Sequence, residues 1–329
     1  MDTTLRDSDP ENHRRPHLIL LVPRGEAVRN FLYSDTLPLL SENARVTLLS
    51  VIHDAHFRER FEPHVDAILP LKHYPASQAT NYIHMLVHEA HFDWLGSQVA
   101  ENRWEVRLHG ARTPMGRVKV RLERAFLGLF ANRQIIEALV KLERRLHLLS
   151  PGADAFHKLF SELKPDLVFN TSHIHGQEAH LPVKVAHDMG IPTVGFIFSW
   201  DNLTSRSRIF EPYDYYLVWH QKMRDQLVSI YPNIQPENVL VTGTPQFDFH
   251  FKPEYWLARE ALCQRIGVDP SRPFVLYTAG IDRHFPEEHR TVELIIRLLR
   301  EMDVTPQTAT GRAHLHQGHQ PGDGGSIRA

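Results

Sequence analysis

Lys164-Pro165-Asp166-Leu167-Val168-Phe169-Asn170, then a helical run from Gln177 to Met189, then Gly190-Ile191-Pro192-Thr193-Val194-Gly195-Phe196 is the stretch that decides the fold. Two short apolar runs bracket an amphipathic segment, which is the pattern of a β-α-β unit. Strands joined through a helix run parallel, because a tight hairpin cannot connect them. Gly190 falls just past the last helical residue, where the left-handed C′ position favours glycine. The following strand is expected over Val194 to Phe198.

The same alternation continues outward on both sides. Downstream, Tyr215 to Trp219 reads as a strand, Gln221 to Ile230 as a helix, and Val239 to Val241 as a last strand closed by Thr242-Gly243-Thr244-Pro245. Upstream, His17 to Val22 is a buried first strand ended by Pro23 and Gly25, and Val28, Phe31 and Leu32 share a face of the next helix. Arg45 to Ile52 and Val65 to Leu69 supply two more strands. Short parallel strands alternating with helices predict an α/β fold, a doubly wound Rossmann-like parallel sheet.

A helical block from about Ser77 to Leu149 interrupts this order. Ile135, Ile136, Leu139, Leu142, Leu146 and Leu149 recur at three- and four-residue spacing, one long amphipathic face. The block reads as an inserted cap or arm, ended by Ser150-Pro151-Gly152. The first lobe then spans residues 17–250, behind a polar, disordered stretch at 1–16. Residues 251–303 form a linker, with a helix near Leu257 to Ile266, and a single βα unit of a second lobe. Its strand is expected over Pro273 to Thr278 and its helix from Pro286 to Met302. Residues 304–329 hold five glycines, three histidines and almost no large apolar side chain. Such a segment cannot offset its ordering entropy by burial, so it reads as disordered.

Composition narrows the function classes. Hydrophobic residues at 42% and charged residues at 23% are ordinary for a globular protein, so the 329-residue chain can bury a large core. A net charge of −2 provides no global field for nucleic acid. The single cysteine, Cys263, excludes an internal disulfide framework and fits a reducing, cytoplasmic setting. No apolar signal core or membrane-spanning run is expected, and Leu18 to Val22 is too short to cross a bilayer.

Ligands of open α/β sheets bind beyond the carboxyl ends of the strands, which selects three loops. Pro23-Arg24-Gly25-Glu26 leads into a helix whose backbone N–H groups favour an anion, with Arg24 to assist; a plain tight turn is the alternative. Thr171 to Glu178 holds His173, His175 and Glu178. Histidine suits general-base work near neutrality, whereas Glu178 can equally be a first-turn carboxylate satisfying the helix dipole. Ser199-Trp200-Asp201-Asn202-Leu203-Thr204-Ser205-Arg206 packs aromatic, acid, amide, hydroxyl and guanidinium groups together. There Asp201 and Asn202 could bind polyol hydroxyls and Arg206 or Arg208 a phosphate, against an Asx-type turn with Trp200 as a packing anchor.

Two further clusters stand apart from the sheet mouth. His84, His88 and His91 share a helix face, but the metalloprotease spacing is lacking and no metal site is expected. Arg103, Arg107, Arg112, Arg117, Lys119, Arg121 and Arg124 form a basic stretch that could rest on anionic lipid headgroups. Glu101, Glu105 and Glu123 dilute it, and a solvated helical face is the alternative reading.

From Pro165 to Gly280 the chain resembles two-lobed, GT-B type transferases of bacterial surface carbohydrates, related to the CDP-glycerol glycerophosphotransferases and UDP-N-acetylglucosamine 2-epimerases. The resemblance rests on Gly190-Ile191-Pro192-Thr193, Ser199 to Ser205, Val241-Thr242-Gly243-Thr244-Pro245-Gln246-Phe247-Asp248 and Val275 to Gly280, with Gly25 to Asp35 similar to a first βα unit. It implies a glycosyl or polyol-phosphate transferase whose first lobe receives a small-molecule or glycan acceptor. It implies His173, His175, Glu178 and Asp201 as catalytic candidates, with Arg24, Gly25, Trp200, Asn202, Arg206, Gly243, Gln246 and Gly280 binding substrate. It implies a nucleotide-activated sugar or polyol as donor, with no tightly bound cofactor. The second lobe is expected to be incomplete, as in a truncated or frame-shifted reading, leaving the chain weakly active or inactive alone. A non-catalytic module whose partner chain covers Ile295, Ile296 and Leu299, or an epimerase-like protein, are the alternatives. Peripheral contact with the inner membrane face is the expected location of any membrane association.

Overall fold

Three aspartates set the start of the sheet. Asp66, Asp166 and Asp214 each stand one residue before a strand, and each carboxylate accepts the backbone N–H of a neighbouring strand, from Val46, His17 and Thr193 respectively, all at 2.7 Å. These N–H groups lie at the sheet's amino edge, where an unpaired buried donor would be costly. The computed structural model that shows this describes residues 15–173, 177–206, 208–278, 280 and 287–301. The chain divides into two units, Met1–Phe249 and His250–Ala329.

The first unit is built on seven parallel strands: β1 (His17–Val22), β2 (Arg45–Ser50), β3 (Ala67–Pro70), β4 (Leu167–Asn170), β5 (Thr193–Phe196), β6 (Tyr215–Val218) and β7 (Val239–Val241). Their order is β3-β2-β1-β4-β5-β6-β7, so the winding direction reverses between β1 and β4. This is the doubly wound Rossmann-like sheet that the alternating pattern predicts. Successive side chains of a strand point to opposite faces. Leu18, Leu20 and Val22 pack with Phe31, Phe57 and Phe61, while Ile19 and Leu21 pack with Phe156, Phe160 and Val185.

The helices follow in chain order. α1 (Gly25–Ala27) runs into a π turn at Val28–Leu32, and α2 (Thr36–Asn43) and α3 (Ala55–Phe61) flank β2. Four helices then follow β3: α4 (Gln78–Leu95), α5 (Gln98–Gly110), α6 (Pro114–Gly128) and α7 (Arg133–Leu148). Each begins on a side-chain cap, with Ser77, Ser97, Thr113 and Asn132 accepting N–H groups of the first turn. Gly96, at φ +56°, ends α4.

α8 (Pro151–Leu163) and α9 (His180–Asp188) return the chain to the sheet, followed by α10 (Asn202–Ser205) and α11 (Gln221–Ile230). The amphipathic face expected on α7 is only partly apolar. Ile136 is buried, but Ile135, Leu142 and Leu149 are exposed, and Glu143 and His147 take the buried positions instead.

The second unit holds α12 (Arg259–Ile266), ended by Gly267 at φ +72°, and α13 (Glu288–Glu301). The strand expected over Pro273 to Thr278 does not form. These residues have no ladder partner and are exposed, and a lone extended segment has nowhere to direct its backbone N–H and C=O groups except solvent. α13 buries none of its residues. The disordered stretches expected at 1–16 and 304–329 lie almost wholly outside the described residues, as do Pro286 and Met302.

Candidate functional site

Polar side chains stitch together the carboxyl ends of three adjacent strands. Thr171, just past β4, donates its hydroxyl to the carbonyl of Leu21 on β1 at 2.6 Å. Asn170, the last residue of β4, accepts the N–H of Ser172 at 3.1 Å and donates to the Tyr213 hydroxyl at 2.8 Å. His173 places Nδ1 3.0 Å from the carbonyl oxygen of Phe196, the last residue of β5. All four side chains are buried. The result is a rigid polar floor at the point where the winding reverses, the usual ligand crevice of such sheets.

On the β1 side, Arg24 precedes α1 and bonds Glu26 at 3.2 Å, and its carbonyl accepts the N–H groups of Ala27 and Val28. A Cβ at Gly25 would meet nothing within 4 Å, so the space above that backbone is open. Arg24, Gly25 and His173 therefore share the mouth of β1 and β4. Glu178 sits in a short 3-10 turn at Gln177–Ala179 and faces His73 at 3.8 Å, rather than the floor residues. His175 lies outside the described residues.

The loop after β5 is organised by its own side chains. Asp201 accepts the hydroxyls of Ser199 and Ser205, both at 2.6 Å, and Asn202 accepts the N–H of Ser199 at 2.9 Å. Burial pushes the Asp201 carboxyl up, but the two serine hydroxyls outweigh it and hold the group below its ordinary value. A carboxylate stabilised in this way is a poor proton acceptor near neutrality. In this structure the Asp201 carboxylate and the Asn202 amide hold the loop together. Trp200 is not a packing anchor, since 64% of it is exposed. Arg206 is exposed near Asp201, whereas Arg208 is drawn inward over the Tyr231 ring at 5.1 Å.

Gly243 and Gln246 follow β7, farther along the sheet. Gly243 has φ +77°, which explains the glycine there by backbone conformation alone. The loop ties back to the β1 side, where Asp248 accepts the N–H of Asp35 at 3.4 Å. Gly280 belongs to the second unit, and its N–H donates to the carboxylate of Glu288 at 2.8 and 2.9 Å.

The helical histidines pack rather than converge. His84 stacks on Phe210 at 3.7 Å, and His91 lies buried against Trp94 and Tyr231. Burial pushes His88 down to about 4 and His91 down to about 3. Among the described residues, no group of three or more His, Cys, Asp or Glu could hold a metal ion. Asn170, Thr171 and Tyr213 were not foreseen as site residues. The available signal was a polar pair at the end of an otherwise apolar strand, Phe169-Asn170-Thr171.

No protein-family model matches the chain, and no curated protein matches it. Among solved structures, it is similar to a UDP-N-acetylglucosamine 2-epimerase at 11% identity and a TM-score of 0.39, over 77% of this chain and 52% of that one. It is also similar to Arabidopsis thaliana UGT89C1 complexed with quercetin, at 12% identity and a TM-score of 0.28, over 70% of this chain and 50% of that one. The chain spans about half the length of each. Among the described residues, no helix is long and apolar enough to cross a membrane.

Proposed function

We propose that the chain supplies the acceptor-side lobe of a glycosyl or polyol-phosphate transferase of surface carbohydrate synthesis, with the ligand seated over the ends of β1, β4 and β5. The orientation of His173 carries this reading. A carbonyl oxygen only accepts, so the 3.0 Å contact with Phe196 puts the ring hydrogen on Nδ1 and a lone pair on Nε2. That tautomer is the one a general base needs, and Nε2, which is buried in this structure, would take the proton of an acceptor hydroxyl brought to it on binding.

Around it, Arg24 and the open backbone at Gly25 suit a phosphate, and exposed Trp200 offers a ring face to a sugar. His175 and Glu178 stay candidates on the resemblance, Glu178 facing His73 and not the base, and Arg206 is a second phosphate ligand. Gly243, Gln246 and Gly280 stay assigned to substrate on the resemblance alone. The donor is a nucleotide-activated sugar or polyol, bound as substrate. Transfer to a panel of glycan and polyol acceptors tests this. Replacing His173 by Gln should lower turnover by about 10²–10⁴-fold with little change in acceptor affinity. Unchanged turnover in His173→Gln, or no binding of any glycan or polyol acceptor, would refute the assignment.

One observation favours a second reading, a non-catalytic module that binds a partner chain. α13 exposes Leu294 and Leu298, and leaves Ile295, Ile296 and Leu299 only half-buried. Sedimentation across a concentration series separates this reading, because a free apolar helix face drives self-association while a monomer at all concentrations speaks against it.

A further inference from the structure

α6 presents two opposite characters to its surroundings. Its inner side is fixed by Leu127, which is buried with Leu86 and Trp104, and Val120 packs against the same cluster. At about 100° per residue, Met115, Val118, Leu122, Phe126 and Leu129 fall within an arc of about 80°, facing away from Leu127 and Val120. All five are exposed, Met115 by 76%, Leu122 by 66% and Leu129 by 70%. A continuous apolar stripe along four turns of a surface helix is not ordinary solvated structure.

The charges beside the stripe are sorted. Two of the acids that dilute the basic run are taken by arginines, Glu101 by Arg124 and Glu123 by Arg107, as is Glu89 by Arg103, at 2.6–2.7 Å, while Glu105 is exposed on α5. Arg112, Lys119 and Arg121 have no carboxylate partner among the described residues, and Arg117 donates only to the carbonyl of Ala111. All four are exposed. On the helical projection, Lys119 borders one side of the stripe and Arg121 lies toward the other, with Arg117 farther round the helix.

We propose that α6 is an interfacial helix that lays this stripe into an anionic lipid surface, with Arg112, Arg117, Lys119 and Arg121 on the headgroup phosphates. An apolar face bordered by cations is the arrangement such helices use to lie in the plane of a bilayer. A second copy of the chain fits less well. Two-fold pairing through the stripe would oppose like charges, and Glu101 and Glu123 are already engaged. The inference concerns docking alone and stands independently of the transferase reading.

Co-sedimentation of the full chain with vesicles tests it. Binding to phosphatidylglycerol–phosphatidylcholine vesicles should exceed binding to phosphatidylcholine vesicles and weaken with salt. Leu122→Glu/Phe126→Glu should reduce affinity for the anionic vesicles by at least about tenfold. Arg117→Glu/Lys119→Glu/Arg121→Glu should remove the preference for anionic lipid. Each variant is a surface change, and retained helicity and melting temperature confirm its fold. Equal vesicle binding by wild type and Leu122→Glu/Phe126→Glu would overturn the proposal. So would an absence of vesicle binding, including the case where sedimentation shows a dimer that Leu122→Glu dissociates.

Discussion

The ammonium group of Lys184 lies 2.7 and 2.5 Å from the two carboxylate oxygens of Glu143, and both side chains are sealed from solvent. Glu143 belongs to α7 and Lys184 to α9, so this pair joins the four-helix insertion to the helix that follows the His173 loop. His147 lies 3.2 Å from the same ammonium, and His84 lies 3.6 Å from the carboxylate. Burial alone would push the Glu143 carboxyl up, but hydrogen bonds with His147 and His84 and the charge of Lys184 hold it well below the carboxylate range.

Breaking this pair on one side should be severe. Glu143→Gln leaves a buried cation without its counter-charge and is expected to cost about 3–5 kcal/mol in urea unfolding. The apolar double replacement Glu143→Leu/Lys184→Met should recover most of that loss. A double variant no more stable than Glu143→Gln would show that the pair is not a closed unit.

Gly195, on β5, has no room for a side chain. A Cβ there would stand 2.6–2.8 Å from carbons of the Tyr213 ring. The ring is pinned by the Asn170 hydrogen bond and by edge contact with Tyr216 at 5.6 Å. Gly195→Ala is therefore expected to lose about 1–3 kcal/mol of stability by overpacking. Equilibrium denaturation measures it, and an unchanged midpoint would contradict the close approach.

His187 supplies a pH dependence of known sign. Its hydrogen bond to Glu211, at 2.5 Å, raises its pKa above the ordinary 6.5. A raised folded-state value means the contribution is full below pH 6.5 and is lost as pH climbs through the higher folded value. Melting temperatures of wild type and His187→Gln should differ at pH 6 and converge at alkaline pH. Because the imidazole is partly exposed, the difference should also shrink in high salt.

Asp201 should behave in the opposite sense. Its lowered pKa makes the Ser199–Ser205 turn most secure above the ordinary carboxylate value of 3.8, and the turn loosens as pH falls through the folded value. Asp201→Asn should speed amide exchange across residues 199–206 at neutral pH, because an amide offers one accepting oxygen where the carboxylate offers two. Exchange rates equal to wild type would show that the turn is held by something else.

The sheet was largely legible because its signal is local. Strands at His17–Val22, Leu167–Asn170 and Val239–Val241, and the helix at Gln221–Ile230, match the apolar runs and their punctuation residue for residue. Misreadings came where partners decide. Pro273 to Thr278 is as apolar as a true strand, yet a ladder needs a neighbour that composition cannot reveal. The apolar spacing on α7 marks Leu142 and Leu146 and gives no sign that Glu143 and His147 are buried, because their buried partner, Lys184, lies some forty positions later. The stripe on α6 is masked in the sequence by its own arginines, which alternate with the apolar residues along the chain and separate from them only around the helix. At the sheet mouth, position and side-chain chemistry together nominate His173 and Asp201. What distinguishes them is which atoms they face, the Phe196 carbonyl for one and two serine hydroxyls for the other.

The central pairing of β1 with β4 also governs how the molecule must be made. Leu18 pairs with Leu167, so the middle of the sheet cannot close until the whole insertion has been synthesised. At ribosomal speeds, the half-sheet β1–β3 waits on the order of ten seconds with the inner edge of β1 unsatisfied. During that interval the nascent chain offers a bare, strongly apolar strand. Chaperone occupancy should therefore peak before residue 170 emerges and fall sharply once it does.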